Sequence, residues 1–267
     1  MVSAARHAGR RAGVLATAAL LLPLASGCGP KPGWQVQELP DAGLPRLSEA
    51  ELAGCEARLR AELGLGEELA RPADATNFGE RQGEDAFDRP VPHQPVLIML
   101  HETVLSAPAT VRLFQTPHPK DEDQVSYHLL IDRAGQRLRI VPDGKRAYGA
   151  GMSAFGDMTV RIRPSSVGSI NNVTLHLSLE TPADGRGDQD AHSGYTPAQY
   201  SAAAAQVLLW QARHGIPLSR LTTHAASDRS HSRYDPRSFR WDRFLPAYRR
   251  AVSLCNLRAY DTGRATY

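Results

Sequence analysis

The segment NVTLHLSLE (172–180) constrains the fold more than any other part of the chain. Val173, Leu175, Leu177 and Leu179 alternate without exception with Thr174, His176, Ser178 and Glu180. A period of two puts the first set on one face of a β-strand and the second on the other. Such a strand needs an apolar layer against its leucines. The strand is expected to be half-buried, with its polar face turned toward something. The clearest helix in the chain is TPAQYSAAAAQVLLWQARHG (196–215). There Thr196 is placed to cap a helix, Pro197 to start it, Gln199 to complete a capping box and Gly215 to stop it. Tyr200, Ala203, Ala204, Val207 and Leu208 fall on one stripe of that helix.

The remaining elements fit the same architecture. VLIML (96–100) is a continuous apolar run of strand length and reads as a buried strand. YHLLID (127–132) and RAGQRLRIV (133–141) read as two strands joined by a turn at Ala134-Gly135. Ser48 and Glu51 form a second capping box, after which Leu52, Cys55, Leu59 and Leu63 recur at helical spacing until Gly64. Little regular structure is expected over 70–95. A last helix is expected through FLPAYRRAVSL (244–254), with Pro246 limiting its start. The reading is an α/β fold, a mixed β-sheet flanked by helices, without internal repeats.

The N-terminus is expected to lie outside that fold. Arg6, Arg10 and Arg11 precede the apolar run GVLATAALLLPLA (13–25), which is too short to span a bilayer comfortably. The ending LASGC (24–28) resembles the lipobox of bacterial lipoproteins, which implies residues 1–27 as a signal peptide and a lipid anchor on Cys28. Gly29 in place of an aspartate implies onward sorting, so the expected location is the periplasm, tethered to the outer membrane. An ordinary cleaved signal with an incidental cysteine is the alternative. The prolines at 30, 32, 40 and 45 make 28–47 a tether, followed by an arm over 48–93, a main domain over 94–255 and a tail over 256–267. Cys55 and Cys255 remain; in an oxidising compartment they are a candidate disulfide, the alternative being two buried thiols. A net charge of +3 is too small to argue for nucleic acid and merely favours contact with an anionic wall. A monomer is expected.

Three residues could carry metal chemistry. His101 ends the run VLIML, His224 lies in LTTHAASD (221–228) and Asp235 in SRYDP (232–236). Two imidazoles and a carboxylate make a three-ligand zinc site with one position open. Ten histidines offer many such triples, so the residue types alone leave the choice open, and His231 could compete as a ligand. His128 reads as a structural or pocket histidine, and His176 as one that lines a cleft or is exposed.

Order and setting narrow the choice. VLIMLHET, VSYHLLIDRAGQRLRIVPDGKRAYGAG (125–151), INNVTLHLSLE (170–180) and LTTHAASDRSHSRYDPRSFRWDRF (221–244) together resemble the type 2 N-acetylmuramoyl-L-alanine amidases, a family that includes peptidoglycan recognition proteins. The resemblance implies a PGRP-like fold, zinc on His101, His224 and Asp235, peptidoglycan as partner, and metal-assisted hydrolysis of the amide between N-acetylmuramic acid and L-alanine. It also exposes departures. Ser178 stands where many members carry an acid/base glutamate, with Glu180 one pleat further along as a reserve. Tyr127 matches a tyrosine that other members use instead, as a donor or water-orienting group. Arg233 replaces a lysine: it can hold an oxyanion but cannot shuttle protons. Tyr148-Gly149 replaces a tryptophan-histidine pair. Ser178 and Arg233 keep open the alternative of a catalytically weak or inactive zinc-containing peptidoglycan-binding lipoprotein; a third reading is a zinc hydrolase of some other amide substrate, such as a soluble anhydromuropeptide.

Overall fold

The computed structural model describes residues 39–187 and 189–261. The expected signal segment (1–27), Cys28, the first part of the expected tether and residues 262–267 lie outside the described residues. In chain order the strands are β1 (Ala42–Gly43), β2 (Leu69–Ala70), β3 (Phe78–Glu80), β4 (Leu97–Glu102), β5 (Leu129–Ile131), β6 (Arg137–Arg139), β7 (Lys145–Ala147), β8 (Thr174–Leu179), β9 (Leu221–Thr223) and β10 (Tyr260–Asp261). The helices are α1 (Glu49–Leu63), α2 (Ala107–Gln115), α3 (Pro197–His214), α4 (His224–Ser227) and α5 (Trp241–Leu254). The main sheet runs β2-β6-β5-β8-β4-β9. β5 and β6 pair antiparallel, and the other neighbours are parallel. This is the mixed sheet between helices that the sequence implies.

The leucine face of β8 packs on α3: Leu175, Leu177 and Leu179 share one core with Ala203, Val207, Leu208 and Trp210. The helix is capped as expected, with Thr196 and Gln199 exchanging side-chain and backbone bonds at 3.1 Å each. Its burial is wider than one stripe, because α1 and α5 pack on its outer side and enclose Gln206 and Gln211 as well. Gln211 stays satisfied, accepting from the Tyr248 hydroxyl (2.6 Å) and donating to the Ile216 carbonyl (3.0 Å). α5 begins at Trp241 rather than 244, and Pro246 lies inside it. The hydrogen bond that proline forfeits belongs to the exposed first turn, where water can serve the freed carbonyl.

A further expectation changes in the folded chain. β8 is not a half-buried strand: Thr174, His176 and Ser178 of its polar face are all fully buried. α2, which its short length hid in the sequence, and the stretch after β6 form a second layer over that face, built around Phe114 with Leu130, and Met99 with Val160. The arm is also integral to the core. Leu52, Cys55 and Leu59 of α1 join the α3 cluster, and a Cys55–Cys255 disulfide (Cα–Cα 5.0 Å) ties α1 to the end of α5.

Candidate metal centre

Strand register brings the first two ligands together. β4 and β9 are parallel neighbours, with Leu100 opposite Thr223. The next residues, His101 and His224, therefore emerge side by side at the carboxyl ends of the strands, where open α/β sheets place their sites. Thr223 caps α4 by accepting from the Ala226 N–H, which fixes the turn carrying His224. The third ligand arrives on a loop organised by Asp228. That carboxylate accepts the N–H groups of Ser230 (2.9 Å), Ser232 (2.8 Å) and Arg233 (2.9 Å). Burial pushes the Asp228 carboxyl up, but these bonds and the Ser230 hydroxyl outweigh it and lower it to about 2. The loop closes where Ala225 N–H donates to the Asp235 carbonyl (2.9 Å).

The result is a convergent donor set: one ligand atom each from His101, His224 and Asp235 lies within 4.8 Å of the others. Asp235, 14% exposed, directs one oxygen at each ring, Oδ2 to His101 Nδ1 (3.1 Å) and Oδ1 to His224 Nδ1 (2.9 Å). The Ala150 carbonyl fixes the tautomer of His224, whose Nε2–H donates to it (3.2 Å). Its Nδ1 lone pair then faces a carboxylate oxygen, an arrangement that calls for positive charge between them. The electrostatics report the same demand. Burial lowers the His224 pKa, yet the charge and hydrogen bond of Asp235 outweigh it and raise it above the ordinary histidine value. Burial also opposes ionisation of Asp235, but His224 and the bonds from both rings hold the carboxyl well below the usual range. Burial dominates at His101, lowering it to about 4, so that ring is neutral at pH 7. Tetrahedral zinc places its donors about 3.4 Å apart, so the set fits such an ion with small adjustments.

The centre lies in a cleft of about 610 Å³ lined by Tyr127, Arg146, Tyr148, Val104 and Arg233 as well as His224 and Asp235. Tyr127 stacks on His101 with ring centroids 4.4 Å apart. Burial and the nearby Asp235 charge raise its phenol, so it is a donor at neutral pH. Arg233 is exposed on the wall beside Asp235.

Glu180 is not part of this assembly. It lies outside the cleft lining, and its carboxylate accepts from the Arg133 N–H (2.9 Å) and pairs with Arg186 (3.3 Å). Ser178 lies beside His101 in the sheet register, buried, with its Oγ unpartnered among the described residues. His231 is exposed and outside the ligand group. His128 is buried, with its Nε2 3.1 Å from the Lys145 carbonyl. His176 is neither cleft-lining nor exposed: it is fully buried and bonded to His101.

A buried network missed by sequence reasoning supports the third ligand. Glu102, next to His101, pairs with Arg237, two residues beyond Asp235, and also accepts from His192 Nε2 (3.0 Å) and the Tyr195 hydroxyl (2.8 Å). Arg237 further donates to the carbonyls of Gly185, Gly187 and Gln189. Partners this far apart in the chain leave no local pattern.

Residues 91–238, more than half of the chain, match the family model described as N-acetylmuramoyl-L-alanine amidase. The chain belongs to that family. Among solved structures it is similar to a selenomethionine derivative of AmpD (24% identity, 68% of this chain and 95% of that one, TM-score 0.49). It is also similar to AmpD of Citrobacter freundii in solution (26% identity, 68% and 90%, TM-score 0.43). A third similar structure is the E. coli N-acetylmuramyl-L-alanine amidase AmiD with anhydro-N-acetylmuramic acid-L-Ala-D-gamma-Glu-L-Lys (21% identity, 64% and 65%, TM-score 0.46). No curated protein matches the chain. For a member of this amidase family, the departures at Ser178 and Arg233 now have places: one behind a ligand, the other at the cleft wall.

Proposed function

We propose that this chain is a zinc-dependent peptidoglycan hydrolase that cuts the amide between N-acetylmuramic acid and L-alanine. The observation that carries the reading is the convergence of His101, His224 and Asp235 in the cleft of a chain from the amidase family. His101 Nδ1, His224 Nδ1 and the Asp235 carboxylate would hold the ion. Bound there, zinc would supply Lewis acidity, polarising the scissile carbonyl and making water nucleophilic near neutral pH. The side chains do the rest. Arg233 offers a permanent positive charge to the oxyanion that develops on the lactyl carbonyl. Tyr127, its phenol protonated and its ring against His101, donates a hydrogen bond in the cleft and orients the attacking water. Tyr148 and Val104 supply apolar wall against the sugar and its lactyl group.

A second reading has its own support. With Ser178 at the position of the family's glutamate and Glu180 tied to Arg133 and Arg186, neither places a free carboxylate in the cleft for proton transfer. That favours a zinc-containing binding protein with slow or lost turnover. In either case the signal-like N-terminus and Cys28 support a lipid-anchored protein of the periplasm, held to the outer membrane. The deciding experiment incubates zinc-loaded protein with intact sacculi and with soluble anhydromuropeptides and measures free stem peptides. Release from sacculi is expected, and His224→Ala is expected to lose both metal and cleavage. Release from neither substrate despite one zinc per chain would establish the binding role; full activity in His224→Ala would refute the site.

A further inference from the structure

The two ring nitrogens of His101 face different partners. Nδ1 lies 3.1 Å from Asp235 Oδ2, and Nε2 lies 2.9 Å from His176 Nδ1. His176 is 0% exposed, and its own Nε2 has no hydrogen-bond partner among the described residues. A neutral imidazole offers one N–H donor and one bare acceptor. The pair of rings therefore has two arrangements. In one, His176 Nδ1–H donates to His101 Nε2, and His101 Nδ1–H donates to Asp235. In the other, His101 Nε2–H donates to His176 Nδ1, and the His101 Nδ1 lone pair faces Asp235. The second is stable only with a cation between that lone pair and the carboxylate.

The surroundings hold the His176 ring where this exchange requires it. The backbone N–H of His176 donates to His128 Nδ1 (3.0 Å), and the two rings stack with centroids 5.6 Å apart at 11°. On the other side lies bare backbone at Gly149, where an added Cβ would come within 2.9 Å of both His176 Nδ1 and Tyr127 Cδ1. That backbone is itself fixed, since Gly149 and Ala150 N–H both donate to Asn171 Oδ1 (3.1 and 2.8 Å). One rigid stretch thus backs His101 through the His176 ring and His224 through the Ala150 carbonyl.

We propose that His176 is a positioning residue for the metal centre, accepting the His101 Nε2 proton so that Nδ1 is presented to the ion, and that loading the site sets the tautomer of both rings. The inference rests on the zinc reading above. Outer-shell partners of metal-ligating histidines are typically worth about 10–100-fold in metal affinity. The test measures zinc affinity by competition with a chromophoric chelator in wild type, His176→Leu and His176→Asn. It adds ¹⁵N spectra of the histidines of wild-type protein with and without zinc. His176→Leu is expected to bind zinc about 10–100-fold more weakly. His176→Asn, whose amide oxygen can accept from His101 Nε2, is expected to stay near wild type. The zinc-loaded wild type is expected to show His176 protonated on Nε2. Unchanged affinity in the leucine variant, an equal loss in both variants, or a proton on His176 Nδ1 in the loaded protein would overturn the proposal. If the leucine variant does not fold, the wild-type spectra decide. Wild-type protein that binds no zinc would instead sink the parent reading.

Discussion

Arg237→Met is the most informative perturbation of the support behind the site. Arg237 and Glu102 form a buried ion pair whose side chains are 1% and 0% exposed. The arginine also serves the carbonyls of Gly187 (2.8 Å), Gln189 (2.6 Å) and Gly185 (2.5 Å). Methionine fills similar volume but leaves the Glu102 charge buried with, among the described residues, His192 and Tyr195 as its remaining side-chain donors. Removing one partner of such a pair costs about 3–5 kcal/mol, mostly the penalty of the charge left behind. Glu102→Gln in the same chain removes that charge, so the double variant is expected to be more stable than Arg237→Met alone. Urea unfolding of the metal-free protein measures both. The zinc affinity of Arg237→Met is also expected to fall, because Arg237 anchors the loop that carries Asp235. A single variant within about 1 kcal/mol of wild type, or a double variant that loses the sum of the two single losses, would refute the reasoning.

Two further outcomes follow from the packing. The Cys55–Cys255 bond closes a separation of 200 residues, for which the chain-entropy model gives about 5 kcal/mol; reduction is expected to lower the urea midpoint strongly, and an unchanged midpoint would contradict it. His128 is held at about 3 by burial and by the Arg81 charge, against an ordinary value of about 6.5. Below that ordinary value the unfolded chain takes up a proton that the folded ring refuses. Stability is therefore full above about pH 6.5 and lost as pH falls toward 3, by up to about 1.4 kcal/mol per pH unit. Metal-free His128→Gln is expected to show a slope shallower by about one proton between pH 6.5 and 4; parallel slopes would exclude His128 as the source.

What could be read in the sequence was what local pattern encodes. The β8 alternation, the Thr196–Gln199 box and the apolar run ending at His101 each specify an element within a few residues of chain. The triple His101, His224 and Asp235 needed family resemblance to be chosen from ten histidines; the folded chain then brings those three together. Features that depend on a second layer were not legible. His176 looks like an outward polar residue until α2 and the stretch after β6 cover it. Glu102 and Arg237, 135 residues apart, share no motif. Glu180 seemed a reserve carboxylate by periodicity alone, but it follows the last residue of β8 and turns to Arg133 and Arg186 instead.

The central claim is that three distant side chains hold one zinc ion in the cleft. Anomalous diffraction at the zinc edge from crystals of the purified protein tests it directly. The account predicts a single peak about 2.0–2.2 Å from His101 Nδ1, His224 Nδ1 and an Asp235 oxygen. A peak held by His231, or none between the two rings and the carboxylate, would contradict it.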